Sequence, residues 1–595
     1  MFLRRIQRKK NGERYAYWAL LESVRTERGP RQRVVATIGK LPDFKEEERI
    51  DWDQIGRILS GAPLKEADLF EKQQEVPEWA TVKLRGIQIE RSRRFGDVYL
   101  GLALWKRLKL DEIFDKLQET GQEDIPWAKM FCLTTLARFC QPSSELAIAE
   151  NWYEKTALED LLGIPLEKID DNRLYRTLDK LLPHKDDISK HLQARYAEWF
   201  GSDFDFLFYD ITSTYFEGQC PKNPQAKHGH SRDKRPDCKQ VCIGLVVNRD
   251  GLPIGYEVFN GNRRDVTTLE DMVELMETKY GKAKRTWVLD RGFVSEENLE
   301  FLRERGATYI VGTLRSILKD FKSRIDTDGW TAIQSGIEVK LTRHPEYGQE
   351  KFILCRSEGR KQKERAMLDR QVKRLEDQLK KIASGIKKGR LKDPSRIERR
   401  IGRWLGRNPK AELLFEVELV RDAEGHLIDL KIERPKDRSD WAEKANGCYI
   451  LRTNLTEEDP AVLWKTYMNL SQAEKAFRME KSDLGMRPIF HQTEKRVQAH
   501  IFVCFLALAM YKCLELWMVQ SGLGSSPAKL LEQFREIRSM DVVVPVKDRN
   551  PARLRLVAKP DEPTAVLLYK LGLKIPNRPK EIVQNVVKTL TPNLL

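Results

Sequence analysis

Two short apolar runs in this chain stop on an aspartate: Phe206-Leu-Phe-Tyr leads into Asp210, and Trp287-Val-Leu into Asp290. Short apolar runs rich in aromatic and branched residues read as buried strands. A buried strand has no use for a charge at its tip unless that charge is paired or holds a cation. The sequence between the two aspartates sets the layer type. Val241-Cys-Ile-Gly-Leu-Val-Val reads as a further strand, Asp250-Gly251 as a hairpin turn, and Leu252-Pro-Ile-Gly-Tyr-Glu-Val-Phe as its return. Thr267 to Tyr280 and Glu296 to Arg305 carry helical spacing, and Tyr309-Ile-Val-Gly reads as one more strand. Hairpins followed by a β-α-β unit predict a mixed α/β layer.

The flanking sequence changes character several times, as 595 residues in several domains should. Residues 1–60 alternate like strands, with turns at Lys10-Asn-Gly and Arg28-Gly-Pro, and 82–99 reads as a second strand-rich patch. Residues 100–200 switch to helical periodicity, with Pro142-Ser-Ser-Glu as a capped helix start. Such a layer could bind DNA or serve only as scaffold. Residues 316–455 read as an insertion with strands around 338–356 and 413–433 and a basic helical stretch at 361–405. Helical spacing returns from Pro460 to Leu516, and the tail from 540 is basic and contains proline. The expected divisions are 1–99, 100–200, a core at 201–315 and 456–520, the insertion 316–455, and 521–595.

A net charge of +16 favours a polyanionic partner, nucleic acid first. Between Lys361 and Lys410 stand 18 Lys and Arg against 6 Asp and Glu, a surplus of 12. The apolar run Ile501 to Tyr511 falls short of the roughly 20 residues a bilayer needs and reads as a buried core helix. No membrane partner is expected, and without a secretory signal the nine scattered cysteines read as reduced thiols in a cytoplasmic protein. Cys220, His228, His230, Cys238 and Cys242 fall close together but lack a CxxC or HxxxH pair, which argues against zinc.

Two strand-borne carboxylates suit hard divalent cations, and a third on a covering helix would complete a pocket for phosphoryl chemistry. Tyr467, Glu474 and Lys481 recur at intervals of seven, which predicts one face of one helix, with Arg478 a turn from Glu474. Composition alone would equally allow a solvated charged stripe.

With these residues in place, the chain resembles the bacterial insertion-sequence transposases of the DDE superfamily, hairpin-forming type. The matching segments are Tyr209-Asp-Ile-Thr-Ser-Thr-Tyr-Phe-Glu-Gly, Gly229-His-Ser-Arg-Asp-Lys-Arg-Pro-Asp-Cys-Lys-Gln-Val, Gly261-Asn-Arg-Arg-Asp-Val-Thr-Thr-Leu, Leu289-Asp-Arg-Gly-Phe, Leu451-Arg-Thr-Asn, and Glu474 through His491. Each is weak singly; six in order are specific, and with similar N-terminal strands they cover most of residues 1–520. The resemblance implies an α/β multidomain protein whose ribonuclease H-like catalytic core is interrupted by a β-rich insertion with a basic helical segment. Asp210, Asp290 and Glu474 would be its catalytic carboxylates, holding two Mg²⁺ ions for which Mn²⁺ can substitute. Relatives carry a Tyr-(2)-Arg-(3)-Glu-(6)-Lys pattern; Tyr467, Glu474 and Lys481 match it, while Leu470 stands where the arginine would be, so Arg478 or Lys475 would supply that phosphate contact. Tyr449, four residues before Thr453, matches an aromatic that stacks on a flipped base, although an aromatic in a strand is also ordinary core.

Tyr467, Arg478, Lys481, Tyr449, Arg291, Lys387 and Lys388 are therefore the expected DNA contacts. The implied partners are double-stranded DNA, both element ends and target, and a second copy of the chain in a synaptic complex, in a prokaryotic, nucleoid-associated setting. The implied activity is metal-dependent cleavage at terminal inverted repeats followed by strand transfer. The alternatives are a nuclease of the same fold, or a retired transposase that only binds DNA.

Overall fold

The computed structural model describes residues 2–10, 13–26, 29–39, 82–117, 123–281, 285–344, 348, 350–547, 550–576 and 580–581. The expected turns around Asn11-Gly12 and Arg28, the expected strand character of 40–60, and the end of the tail from 582 lie outside them. The chain forms two compact units. One comprises Met1–Ala283 with Ser471–Leu595, the other Lys284–Leu470. Both mix helices with sheets. The expected boundaries at 315 and 455 fall inside the second unit.

In the first unit, Phe2–Lys10, Glu13–Thr26 and Gly29–Gly39 form an antiparallel meander, as their alternation predicts. The helical layer follows. Trp127–Cys140 is apolar on nearly every face and buried along almost its whole length. It packs on Gly96–Arg107, on Asp171–Leu181 and on the 27-residue helix Glu494–Gln520. That last helix is long and apolar enough to cross a membrane. However, 89% of its apolar window is buried inside the protein, which is how a helix apolar all round behaves in a core.

Three antiparallel strands lie in the order Phe206–Tyr215, Gln240–Val247, Pro253–Asn260. The hairpin turn forms where expected. Gly251 takes φ +80°, open to glycine, and the Asn248 side chain accepts hydrogen bonds from the Asp250 and Leu252 amides. The helix Ser471–Arg478 packs on the first two strands. The third packs against Lys185–Phe200, Leu269–Tyr280 and Glu494–Gln520.

A second sheet joins distant parts of the sequence: Lys580–Glu581, Ala552–Val557, Arg538–Val544 and Gln88–Arg94, all antiparallel. Buried Arg93 holds it to the helical layer through Glu159 at 3.2 Å and Asp160 at 3.0 Å, and reaches Asp541 of the neighbouring strand at 3.5 Å. The strand expected over 82–99 ends early, because a helix starts at Gly96. A Cβ at Gly96 would stand 2.2 Å from the Phe534 carbonyl oxygen, so only glycine allows that close approach.

In the second unit the strand order is Thr331–Gln334, Ile337–Arg343, Lys351–Ser357, Cys448–Thr453, Thr308–Gly312, Thr286–Leu289. The last two are parallel, joined through the helix Glu296–Glu304; the other neighbours run antiparallel. Between Ser357 and Cys448 the chain builds a satellite core of its own. The 30-residue helix Glu358–Lys387 turns Val372, Leu375, Leu379, Ile382 and Ile386 inward. They meet Ile397 and Ile401 of Pro394–Arg407, and Leu430 of the hairpin Glu416–Arg421/Leu427–Glu433. The basic stretch is thus an amphipathic helix pair with its charge turned to solvent.

Candidate active site

Asp210 is not at a strand tip. The strand runs on through Tyr215, with Asp210 opposite Leu245 and Tyr215 opposite Gln240. The branched residues after Asp210 keep the strand going, and Leu207, Phe208, Tyr209 and Ile211 to Thr214 are buried while Asp210 is only partly so. Its Oδ1 accepts the Ile211 amide at 2.8 Å.

Glu474 sits in the same unit, on the helix that packs over the Asp210 strand. Ala473, Ala476 and Phe477 supply the buried face, leaving Glu474, Lys475 and Arg478 exposed. The single stripe expected for Tyr467, Glu474 and Lys481 does not form. Pro460–Met468 ends before Asn469-Leu470, a new helix begins at Ser471, and Met479–Asp483 widens into a π turn. An interval of seven aligns side chains only where 3.6 residues per turn is kept throughout. Leu470, at the place of the missing arginine, is buried.

Lys481 faces inward. Its ammonium lies 2.9 Å from Asp233 Oδ1, which Arg487 also approaches at 2.5 Å, and both Lys481 and Asp233 are nearly closed to solvent. Burial lowers the Lys481 pKa, against the raising effect of Asp233. Asp233 lies 248 positions earlier in the chain, and no local pattern announces it.

Asp290, in the other unit, is where the sequence puts it, directly after Leu289. It is exposed and precedes the turn Arg291–Phe293, yet its side chain makes no capping bond there. The ordinary duty of a strand-end aspartate is therefore not what holds it. The Tyr467 hydroxyl donates to Asp290 Oδ1 over a long 3.4 Å. Burial first, and Asp290 next, push the Tyr467 hydroxyl pKa up, so it stays a donor. Gly312 makes room for it, since a Cβ there would come within 2.6 Å of the Tyr467 oxygen.

Beside this pair opens a cavity of about 530 Å³, lined by Asp290, Arg291, Arg315, Arg360, Lys410, Tyr449 and Tyr467 among others. Two phenol rings, four cations and one exposed carboxylate share its wall. Tyr449 is fixed from both sides: its hydroxyl accepts from Trp464 Nε1 at 2.7 Å, and the Arg360 guanidinium lies 5.0 Å from its ring centroid. Glu364 organises the cations. It receives Arg315 at 3.1 Å, Arg360 at 2.9 Å and the Gly447 amide at 3.0 Å. Burial opposes its charge, but the Gly447 amide and the two guanidiniums outweigh that and lower its pKa. Arg360 and Glu364 are an i,i+4 pair on the long helix, but nothing in the sequence marks that Arg315 and Lys410, from separate segments, join them at this cavity.

Lys387 and Lys388 are exposed at the far end of the basic helix and are not among the residues lining this cavity; Lys387 pairs with Asp429 at 3.0 Å. Among the cysteines near the considered zinc cluster, Cys242 Sγ turns to the Gly261 carbonyl and Cys238 to Arg235.

Two family models match the chain. The one described as Transposase DDE domain matches residues 202–510, just over half of it, and the one described as IS1634 family transposase, N-terminal domain, matches residues 3–65. No match among curated proteins is found.

Proposed function

Since the chain belongs to the DDE-domain transposases of insertion sequences, we propose that it moves its element by cut-and-paste. It binds the terminal inverted repeats, cleaves the element's ends, and joins the freed 3′-OH to target DNA, working as a homodimer in a synaptic complex. The reading is carried by the DDE-domain match across residues 202–510, which takes in Asp210, Asp290 and Glu474 together. We assign these three as catalytic carboxylates on a ribonuclease H-like core.

Their donor set supports a hard cation. All three offer carboxylate oxygens alone, Asp290 and Glu474 are exposed, and Asp290 spends none on capping. Two Mg²⁺ ions held there, or Mn²⁺ in their place, supply the Lewis acidity that phosphodiester attack by water and then by a 3′-OH requires. The chain's own groups do the rest. Tyr467 orients the Asp290 carboxylate by donating to it. Arg478, Lys481 and Arg291 take DNA phosphates, Lys481 by exchanging its bond to Asp233 for one to DNA. Strand-transfer product from a pre-cleaved end and target DNA tests this reading. Cleavage without joining would indicate a nuclease, and binding alone a retired transposase.

The hairpin-forming route is supported by Tyr449, whose ring lies in the wall of a cavity that Asp290 also lines. Stacking on an unpaired base is worth about 1–3 kcal/mol, so Tyr449→Ala is expected to slow hairpin closure about tenfold or more. First-strand nicking stays nearly unchanged, and Tyr449→Trp restores the rate. Tyr449→Phe loses the hydroxyl's bonds to Trp464 and Cys355 but keeps the ring, and stays close to wild type. Labelled end DNA followed on a denaturing gel separates nick from hairpin. Equal slowing of both steps would make Tyr449 a packing residue.

Phosphate affinity from the basic helix is a separate expectation. Lys381, Lys388 and Arg390 are exposed, and Lys380 and Lys387 have only surface partners, Glu376 and Asp429. Replacing these five should weaken binding to all DNA sequences alike. The slope of log affinity on log salt should fall by about 0.9 for each phosphate that is no longer neutralised. An unchanged slope would leave the stretch a solvated helix pair.

A further inference from the structure

Outside the carboxylates of the DDE assignment, the first unit gathers a second set of ligating side chains. Glu145 opens the short helix that follows Trp127–Cys140, His491 lies in the loop between the π turn and the long core helix, and His500 sits on that core helix. One ligand atom from each lies within 4.8 Å of the others. The Glu145 carboxylate is 3.5 Å from His491 Nε2, and the side chains are 10% and 8% exposed. His500 is 6% exposed, and the buried Cys504 Sγ, a turn further along, is 3.9 Å from its Nε2.

We propose that Glu145, His491 and His500 bind one borderline transition cation of the zinc class, separate from the magnesium of the catalytic carboxylates. Two imidazoles and one carboxylate are a poor set for Mg²⁺, which prefers oxygen and water, and a good one for Zn²⁺, Co²⁺ or Fe²⁺. Three convergent donors leave a fourth position open to water.

Burial and chemistry support the assignment together. A carboxylate this deeply buried needs a positive partner; protonated His491 is one at 3.5 Å, and a bound cation would take over that role while using the imidazole lone pairs. His500 is closed to solvent, and its Nε2 lies 3.3 Å from the Met486 carbonyl. Arg138, whose charge also acts on His500, is engaged with the Gly485 carbonyl at 3.2 Å. His491 and His500 follow the π turn that ends the Glu474 helix, whereas Glu145 belongs to the helical layer. The ion would therefore fasten the loop Leu484–Thr493 to the helical layer and steady the end of the Glu474 helix.

The full-length protein, stripped with chelator and returned to Mg²⁺ buffer, is titrated with Co²⁺ and Zn²⁺. The expected result is one equivalent bound, with visible d–d absorption from Co²⁺ that Mg²⁺ does not displace. Glu145→Gln, His491→Asn and His500→Gln should each weaken binding by more than about tenfold, while Asp210→Ala binds like wild type. Glu145→Gln keeps the volume and a hydrogen bond to His491, so its circular dichroism controls for folding. The proposal is overturned if the wild type binds no Co²⁺, if the ligand variants bind it unchanged, or if Asp210→Ala abolishes it.

Discussion

Alanine at Asp210, Asp290 or Glu474 is expected to slow cleavage of end DNA by about a thousandfold or more, while binding of the same DNA stays within a few-fold of wild type. Metal ligands supply several kcal/mol of transition-state stabilisation, and each 1.36 kcal/mol is a factor of about ten in rate. Surface changes of this kind usually alter stability by only about half a kcal/mol. Asp290 and Glu474 are exposed, and Asp290 caps nothing with its side chain. Loss of activity therefore reads as lost chemistry, not lost fold. Glu480→Ala is the informative control. Glu480 lies six residues past Glu474 but is sealed in the π turn, 1% exposed. If Glu474→Ala cuts normally and Glu480→Ala is dead, the third ligand has been misassigned.

How much of this is legible in the sequence follows from how local each signal is. The Asp290 strand can be read because four residues and their neighbours decide it. The core helix around Ile501–Tyr511 and the satellite helix pair can be read for the same reason: apolar spacing within one element fixes its buried face. The sequence puts Asp210 on a strand, and the β-branched and aromatic residues of Ile211-Thr-Ser-Thr-Tyr are strand-like too; reading Asp210 as a strand end fails because the pairing with Gln240–Val247 carries the strand through to Tyr215. The stripe through Tyr467, Glu474 and Lys481 fails on helix continuity. Asn469-Leu470 and the π turn change the phase, and neither break carries a proline or glycine to mark it. Three features have no local signal at all. Lys481 is held by Asp233, Glu364 receives Arg315, and Arg538–Val544 pairs with Gln88–Arg94. Each depends on tertiary contact across long stretches of chain.

Glu480 carries the second large expectation, in stability. It is fully buried, its Oε2 has no hydrogen-bond partner among the described residues, and desolvation raises its pKa from 4.5 to about 8, with Lys481 opposing. Between pH 4.5 and 8 the folded protein therefore holds a proton that the unfolded chain has released. Stability must fall as pH rises through that window and level off above it. One pKa unit corresponds to about 1.4 kcal/mol, so the loss by pH 8 is on the order of a few kcal/mol. Glu480→Gln has no proton to lose. It should match wild type near pH 5 and be clearly more stable at pH 8, by a higher melting or urea midpoint. Glu480→Met separates the charge from the amide's own need for a hydrogen bond. The same proton bears on the site, because a carboxyl that is neutral at pH 7 is a poor cation ligand. Identical pH profiles for wild type and Glu480→Gln would mean that Glu480 is already ionised in the folded protein at neutral pH.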